Sequence, residues 1–249
     1  MKHALGIASI LALALAGCSQ QNAPSDKIKK AATDIVKKVD GSAATPAPKL
    51  AEGSFAPQDD CTDVPGAEDF LKQLRAAVKA RDTNMLVALA APDVQLNFGG
   101  GTGTGQLRAE LSKRDWSLWD ELDKLTALGC GVNKQGGITL PWFATQDLGP
   151  VDPIKSVMVV GEKVEIHADE PGKGEGKGKV LEDISWDVVT LVDDLHPEDD
   201  FQKIVTRDGT TGFIATDYLR SLNDYRLVAS SRDGKWSFTS LSAKRDPTT

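Results

Sequence analysis

Hydrophobic residues between positions 65 and 150 recur mostly at helical spacing, with one alternating segment among them. Within 68–80 they fall on one face of a helix, and a second short helical pattern follows directly. Apolar and polar residues then alternate over 94–98, which predicts a short strand. Leucine and tryptophan at helical spacing over 107–128 predict further helices. These elements together predict a helix-rich α+β domain over residues 65–150.

After residue 150 the pattern changes to short strands. Apolar runs and alternating segments predict strands near 157–160, 164–168 and 188–192. Two Asp-Gly pairs, at Asp208 and at Asp233, each lie between strand-like segments and predict β-hairpin turns. The pattern therefore predicts a small all-β domain over residues 151–222, followed by a final hairpin.

The first eighteen residues combine a basic start, an apolar centre and a small-residue ending. Lys2 precedes an uncharged apolar run over 4–16, which is too short to span a bilayer and is typical of a signal peptide. The run closes on Leu-Ala-Gly-Cys, ending at Cys18. This ending resembles the lipobox of bacterial lipoproteins, which implies removal of residues 1–17 and attachment of fatty acyl chains such as palmitate to Cys18. An ordinary secretory signal with a cysteine at its cleavage site is the alternative.

The same resemblance implies a location in the bacterial cell envelope and a membrane contact through the lipid anchor. Ser19 after the modified cysteine resembles the signal that sorts lipoproteins to the outer membrane, facing the periplasm. Residues 18–64 then form a tether. Its segment 26–39 is a basic amphipathic helix pattern, which suits either an anionic membrane surface or a solvated spacer. The Ala/Pro/Ser-rich segment 41–57 predicts an extended spacer.

Composition and charge exclude one class of partner. The chain has 249 residues, with 40% hydrophobic and 26% charged residues, which predicts a packed core. Removal of the signal peptide takes away the single charge of Lys2 and changes the net charge from −7 to −8. An acidic protein lacks the basic field that neutralises phosphates, so nucleic acid is not expected as a partner.

The remaining cysteines predict a disulfide. If Cys18 carries lipid, Cys61 and Cys130 are left as a pair in an oxidising compartment. A bond between them closes a loop of about 70 residues and is worth on the order of 4 kcal/mol in the chain-entropy model. Two unpaired thiols are the alternative.

Several segments of residues 154–222 resemble the bacterial SH3-like barrel. They are Val164-Glu-Ile-His-Ala-Asp-Glu-Pro171, Gly178-Lys-Val-Leu181, Asp187-Val-Val-Thr-Leu191, Gln202-Lys-Ile204, Gly212-Phe-Ile214 and Tyr218-Leu219. The resemblance implies an aromatic ligand groove, with Trp186, Phe201, Phe213 and Tyr218 as its candidates, and a wall component such as peptidoglycan or an envelope protein as its partner. Phe201 and Phe213 stand near positions where this family usually has Trp, and Trp186 stands where Gly is common.

The first domain resembles the cone-shaped nuclear-transport-factor-like fold. The resemblance rests on Phe70-Leu71, Leu74-Arg75, Arg81-Asp82, the strand at 94–98 and Asp233-Gly-Lys-Trp236. It implies that the final hairpin, over 223–243, completes the first domain and that the barrel is an insertion. It also implies an alternative function, a pocket in the first domain that binds a small ligand or carries out catalysis. Trp142 and Phe143 are either lining residues of such a pocket or core.

No motif in the chain meets the requirements of a known catalytic, metal or cofactor site. The histidines left after processing, His167 and His196, are too few for zinc. The acidic run 193–200 lacks the order of a calcium loop, and the glycine-rich segment 99–105 lacks the Lys and Ser/Thr of a phosphate loop. That segment is either a backbone anion site or a flexible turn. We predict no metal, no cofactor and no catalytic residue, and a non-enzymatic binding role.

Overall fold

The computed structural model describes residues 52–97, 101–114, 117–173 and 178–243, which form two β-sheets with helices. The predicted α+β class is confirmed. The signal peptide, Cys18 and the tether as far as residue 51 lie outside the described residues, and so do residues 98–100 of the glycine-rich segment. Among the described residues, no helix has the length and apolar character needed to cross a bilayer.

The helices lie in the first part of the chain. The α-helices are α1 (Ala67–Ala80), α2 (Thr83–Ala88), α3 (Gly103–Leu111) and α4 (Leu118–Ala127). The 3₁₀ turns are Asp60–Asp63, Trp142–Thr145 and Thr216–Tyr218. Asp82 begins α2, because its carboxylate accepts the backbone N–H groups of Asn84 and Met85 at 2.8 and 3.0 Å.

The first sheet combines strands from both ends of the described chain. Its strands are β1 (Ala90–Leu96), β2 (Gly101–Thr102), β3 (Gly131–Val132), β4 (Ile138–Leu140), β12 (Arg226–Arg232) and β13 (Lys235–Ser242), in the order β2-β1-β13-β12-β4-β3. Strands β1 and β13 are parallel, and the other pairs are antiparallel. The final hairpin therefore occupies the centre of this sheet.

The helices cover this sheet with the apolar faces that the sequence pattern indicates. Phe70, Leu71, Leu74 and Val78 of α1 are all buried, and they share one core with residues of α4 and with Phe238 of β13. Burial of a face of this size is the main stabilising contribution to such a domain.

The second sheet is formed entirely by the segment between β4 and β12. Its strands are β5 (Ser156–Val159), β6 (Val164–His167), β7 (Val180–Ile184), β8 (Val188–Leu191), β9 (Phe201–Val205), β10 (Thr211–Ala215) and β11 (Leu219–Ser221), in the order β11-β5-β8-β9-β10-β6-β7. All its pairs are antiparallel. Val157 of β5 and Ile166 of β6 share one core, although three strands, β8, β9 and β10, lie between β5 and β6 in the sheet order. The sheet is therefore rolled around its own core, and below we call it the barrel.

A third apolar cluster joins the two sheets. Leu128, Trp142 and Phe143 of the first part pack with Met158, Val188 and Leu222 of the second, with Phe55 and Trp186 against them. Trp142 is 6% exposed and Phe143 is 4% exposed, so both are core residues of this junction. The indole Nε1–H of Trp142 donates to Asp60 at 2.5 Å.

The folded part begins before Pro65, the position at which the sequence pattern places its start. Residues 52–63 already contact both sheets. Arg75 donates to both carboxylate oxygens of Asp59 at 2.7 and 2.9 Å, and the backbone N–H of Cys130 donates to the Gln58 carbonyl at 2.8 Å. Cys61 and Cys130 are joined by a disulfide, with their Cα atoms 5.9 Å apart.

Candidate binding face on the barrel

The alternation of strands β9 and β10 places two phenylalanines on the outer face of the barrel. In β9, Gln202 and Ile204 are buried, and in β10 Gly212 and Ile214 are buried. Since successive side chains point to opposite faces of a strand, Phe201 and Phe213 lie on the face away from the core. Both rings are half-buried rather than covered.

Residues of four neighbouring strands form a row across this face. Phe213 is opposite Lys203 on one side and opposite His167 on the other, and His167 is opposite Val180. Phe201 belongs to the same patch, because its ring lies edge-on to the His167 ring at 6.0 Å between centroids. These five residues are called the outer-face cluster.

The cluster contains one cation placed against an aromatic ring. The Lys203 ammonium lies 6.0 Å from the centroid of the Phe213 ring, at the outer limit of a cation–π contact. Lys203 is exposed, so its ammonium is also free to approach an anionic group of a ligand. Val180 adds apolar area, since it is 42% exposed.

His167 is held in a fixed orientation at the centre of the row. Its Nδ1 lies 2.7 Å from the carbonyl oxygen of Gly178, which fixes Nδ1 as the protonated nitrogen. Its Nε2 is 3.5 Å from a carboxylate oxygen of Glu165. The imidazole therefore presents its Nε2 side to the surface beside an acidic group.

The cluster has an exposed cation, Lys203, and a carboxylate, Glu165, that lies beside His167. The charged groups near the cluster are thus of both signs. A ligand with both amino and carboxylate groups finds a complementary group here.

The four aromatic residues predicted from the sequence do not form one groove. Phe201 and Phe213 lie in the outer-face cluster, whereas Trp186 packs in the junction between the sheets. Trp186 is in a left-handed turn conformation with φ 43°, and its indole nitrogen is buried with no hydrogen-bond partner in the described part of the chain. Tyr218 is 45% exposed, and its ring lies against Gly161.

Sequence reasoning missed Lys203, Val180 and the position of His167 in this site. The alternation of Gln202-Lys-Ile204 and of Val164-Glu-Ile-His167 contains the signal that places Lys203 and His167 on the outer face. The register that brings them to the same row comes from the pairing of β10 with both β9 and β6, which the sequence does not contain.

The first domain has a groove with partly apolar lining. It has a volume of about 510 Å³ and lies between α1, α2 and the turn of the final hairpin. Its lining includes Phe70, Met85, Leu89 and Trp236. Met85 is 44% exposed, and the indole N–H of Trp236 donates to the Pro65 carbonyl at 2.9 Å, which fixes the ring.

One buried carboxylate lies in the first domain. Glu110 is 2% exposed, and its oxygens accept hydrogen bonds from Gln106 and Lys113, each at 2.8 Å. Glu110 does not line the groove described above. Within the described ranges there is no group of His, Cys, Asp and Glu that could hold a metal ion.

Comparison with known proteins gives little that bears on function. No family model matches the chain, and no curated protein matches it. Among solved structures the chain is similar to one titled Rd1NTF2_05, a variant carrying five substitutions, at 12% identity and a TM-score of 0.27. The match covers 72% of this chain and 96% of that chain.

Proposed function

We propose that this protein is a lipid-anchored, non-enzymatic binding protein of the bacterial cell envelope, and that its outer-face cluster binds peptidoglycan. The lipobox-like ending at Cys18 supports the anchor and the location in the outer membrane, facing the periplasm. The resemblance of residues 154–222 to the bacterial SH3-like barrel supports a wall component as the partner.

The observation that carries the proposal is the row of Lys203, Phe213, His167 and Val180 with Phe201 beside it. Half-exposed rings supply apolar area that a ligand can cover, and such aromatic anchors dominate binding energies. Peptidoglycan offers apolar faces of sugar rings together with carboxylate and amino groups. The rings, the Lys203 ammonium and the neighbouring Glu165 carboxylate are complementary to these three features.

The test is co-sedimentation of the exported protein with purified wall sacculi. Phe213→Ala removes the central ring of the row, and we expect it to weaken binding about tenfold or more, as loss of an aromatic anchor does. Tyr218→Ala is the matched control, because Tyr218 is an exposed aromatic residue of the barrel outside the cluster. Equal sedimentation of the two variants would reject the outer-face cluster as the binding site.

A protein partner is the alternative ligand of the same face. If the unmodified protein does not sediment with sacculi, the same pair of variants is compared by crosslinking in cells. A crosslinked envelope protein that is lost in Phe213→Ala and kept in Tyr218→Ala would then identify the partner class.

A second candidate function is binding of a small apolar ligand in the first-domain groove. The observation that favours it is an exposed Met85 beside Trp236 in a groove of about 510 Å³, a volume typical of ligand sites. Trp236→Phe would remove the fluorescence change expected on ligand addition. Unchanged fluorescence of the unmodified protein across a library of apolar ligands would reject this function.

The anchor itself is tested at Cys18. We propose that Cys18→Ser leaves the chain without lipid and releases it from the membrane fraction. Mass spectrometry of the purified protein reports the modification directly. Equal membrane retention of the variant would reject the anchor.

A further inference from the structure

Residues 52–56 lie against the barrel as a short turn, in which the backbone N–H of Ala56 donates to the Gly53 carbonyl at 3.4 Å, and they are called the strap. The strap belongs to no helix or strand. Its backbone donates twice to the barrel: the N–H of Glu52 to Glu162 Oε1 at 3.0 Å, and the N–H of Phe55 to the Trp186 carbonyl at 2.9 Å. The strap is therefore held by contacts of the kind that bind a separate peptide to a folded domain.

Gly53 is the point of closest approach between the strap and the barrel. Its φ is +121°, a conformation that other residues rarely adopt. A Cβ at this position would lie 2.2 Å from the carbonyl oxygen of Ser185, which belongs to the backbone and has no flexible end to move away. The position therefore accepts glycine alone.

Phe55 is the side-chain anchor of the strap. The guanidinium carbon of Arg207 lies 5.5 Å from the centroid of the Phe55 ring. Arg207 is itself fixed, because its Nε lies 2.9 Å from Asp187 Oδ1 and its Nη2 donates to the Leu148 carbonyl at 2.9 Å. A guanidinium held in this way is a prepared cation–π partner for an aromatic ring.

We infer that the surface formed by Glu162, Ser185, Trp186 and Arg207 is a peptide-binding groove, and that the strap is its resident occupant. The partner that fits it is a peptide that forms the same turn, with a glycine and, two positions later, an aromatic residue. Such a peptide binds only where the strap has left. Only residues before Cys61 can leave the groove, because the Cys61–Cys130 disulfide holds the chain at Cys61 to the first domain. This groove is separate from the outer-face cluster, and the inference holds whatever that cluster binds.

A tethered occupant competes strongly with a free peptide. A segment joined by a short linker has an effective concentration in the millimolar range, so a free peptide at micromolar concentration does not displace it. We therefore expect the unmodified protein to show little binding of a free copy of the strap. A variant whose own strap cannot occupy the groove should bind a free peptide with the sequence of the strap.

The experiment uses a fluorescent synthetic peptide of residues 50–60 and measures anisotropy with the exported protein. Gly53→Val prevents the strap from seating, and this variant is expected to bind the peptide at least tenfold more tightly than the unmodified protein does. Gly105→Ala is the matched control, because a Cβ there meets nothing within 4 Å, and it should behave as the unmodified protein. A peptide that carries Ala in place of the residue-55 phenylalanine should not bind.

The contact with Arg207 gives a readout that a merely structural strap would not produce. Adding Arg207→Ala to Gly53→Val should remove peptide binding again. If Gly53→Val does not fold, Phe55→Ala weakens the strap with less strain and is measured in the same way. Absence of peptide binding to a folded strap variant, or equal binding to the variant and the unmodified protein, would overturn the inference.

Discussion

Removal of the disulfide between Cys61 and Cys130 should lower the stability of the fold strongly while leaving every hydrogen bond in place. Both cysteines are fully buried, and 69 positions separate them in the sequence. Cross-linking a loop of that length removes chain entropy from the unfolded state, which amounts to about 4 kcal/mol at 25 °C. Replacing both by alanine avoids leaving a buried hydroxyl without a partner.

The expected loss of stability is a large part of the total free energy of unfolding. Domains of this kind have free energies of unfolding of roughly 5–15 kcal/mol, so a loss of about 4 kcal/mol is easily resolved. For a chain of this length it corresponds to a fall in Tm of about 8–16 °C. We expect urea unfolding, followed by tryptophan fluorescence, to show a lower midpoint for Cys61→Ala/Cys130→Ala.

The control for this measurement is Cys18→Ala, which removes a cysteine outside the described fold and should leave the midpoint unchanged. A second consequence is local: the segment before Cys61 loses its fixed end, so hydrogen exchange there should rise more than in the barrel core. A loss below about 1 kcal/mol would refute the argument from chain entropy. It would mean that the unfolded chain keeps residual structure that already brings the two ends of the loop together.

Three further predictions concern individual side chains. The pKa of Asp208 is lowered first by a hydrogen bond from the Thr206 hydroxyl and then by one from the backbone N–H of Thr210. The ionised Asp208 therefore stabilises the fold fully at pH values above the ordinary pKa of 3.8, and this contribution is lost as the pH falls through the lowered pKa. The Tm advantage over Asp208→Asn, measured by calorimetry from pH 7 to pH 2, should therefore vanish at the acid end, and a constant difference would contradict it. Phe238→Ala should cost about 3–5 kcal/mol in urea unfolding, because the ring is fully buried at the centre of the first sheet, and a cost under 1 kcal/mol would show that the site collapses. Glu110→Ala removes the acceptor of Gln106 and Lys113, which water partly replaces because Lys113 is exposed, so it should cost about 0.5–1.5 kcal/mol in urea unfolding, and Glu110→Gln should partly restore the loss.

The sequence pattern predicts a helix or strand well where one face of that element is buried and its apolar residues are close together in the sequence. The helix α1 follows from four apolar residues at helical spacing, and all four are buried. The strands β7 and β11 were not predicted. In β7, Glu182 and Asp183 break the apolar run, and its exposed residues give no alternation to detect.

Long-range pairing accounts for most of what the sequence could not predict. Strand β1 pairs with β13, for example Gln95 with Ser240, and this parallel pairing between distant parts of the chain leaves no local signal in the sequence. The strap illustrates the same limit, because its composition is typical of a spacer, yet Gly53 and Phe55 are ordered by contacts with the barrel. The candidate site was half predicted for this reason: alternation places Phe201 and Phe213 on one face, but the turn at Trp186 directs that side chain into the junction.

The position of β13 at the centre of the first sheet sets an order in which the chain can fold. A chain that emerges from its amino end delivers every strand of the barrel before β12 and β13 arrive, so the barrel can close while the sheet beneath the helices still lacks its two middle strands. The first sheet is complete only when the last described residues have been added. There the backbone N–H of Ala243, just after β13, donates to the side chain of Asn97, just after β1, at 2.8 Å. A chain terminated after residue 222 would keep its barrel strands and lose the two central strands on which α1 packs, and its exposed apolar face would favour aggregation.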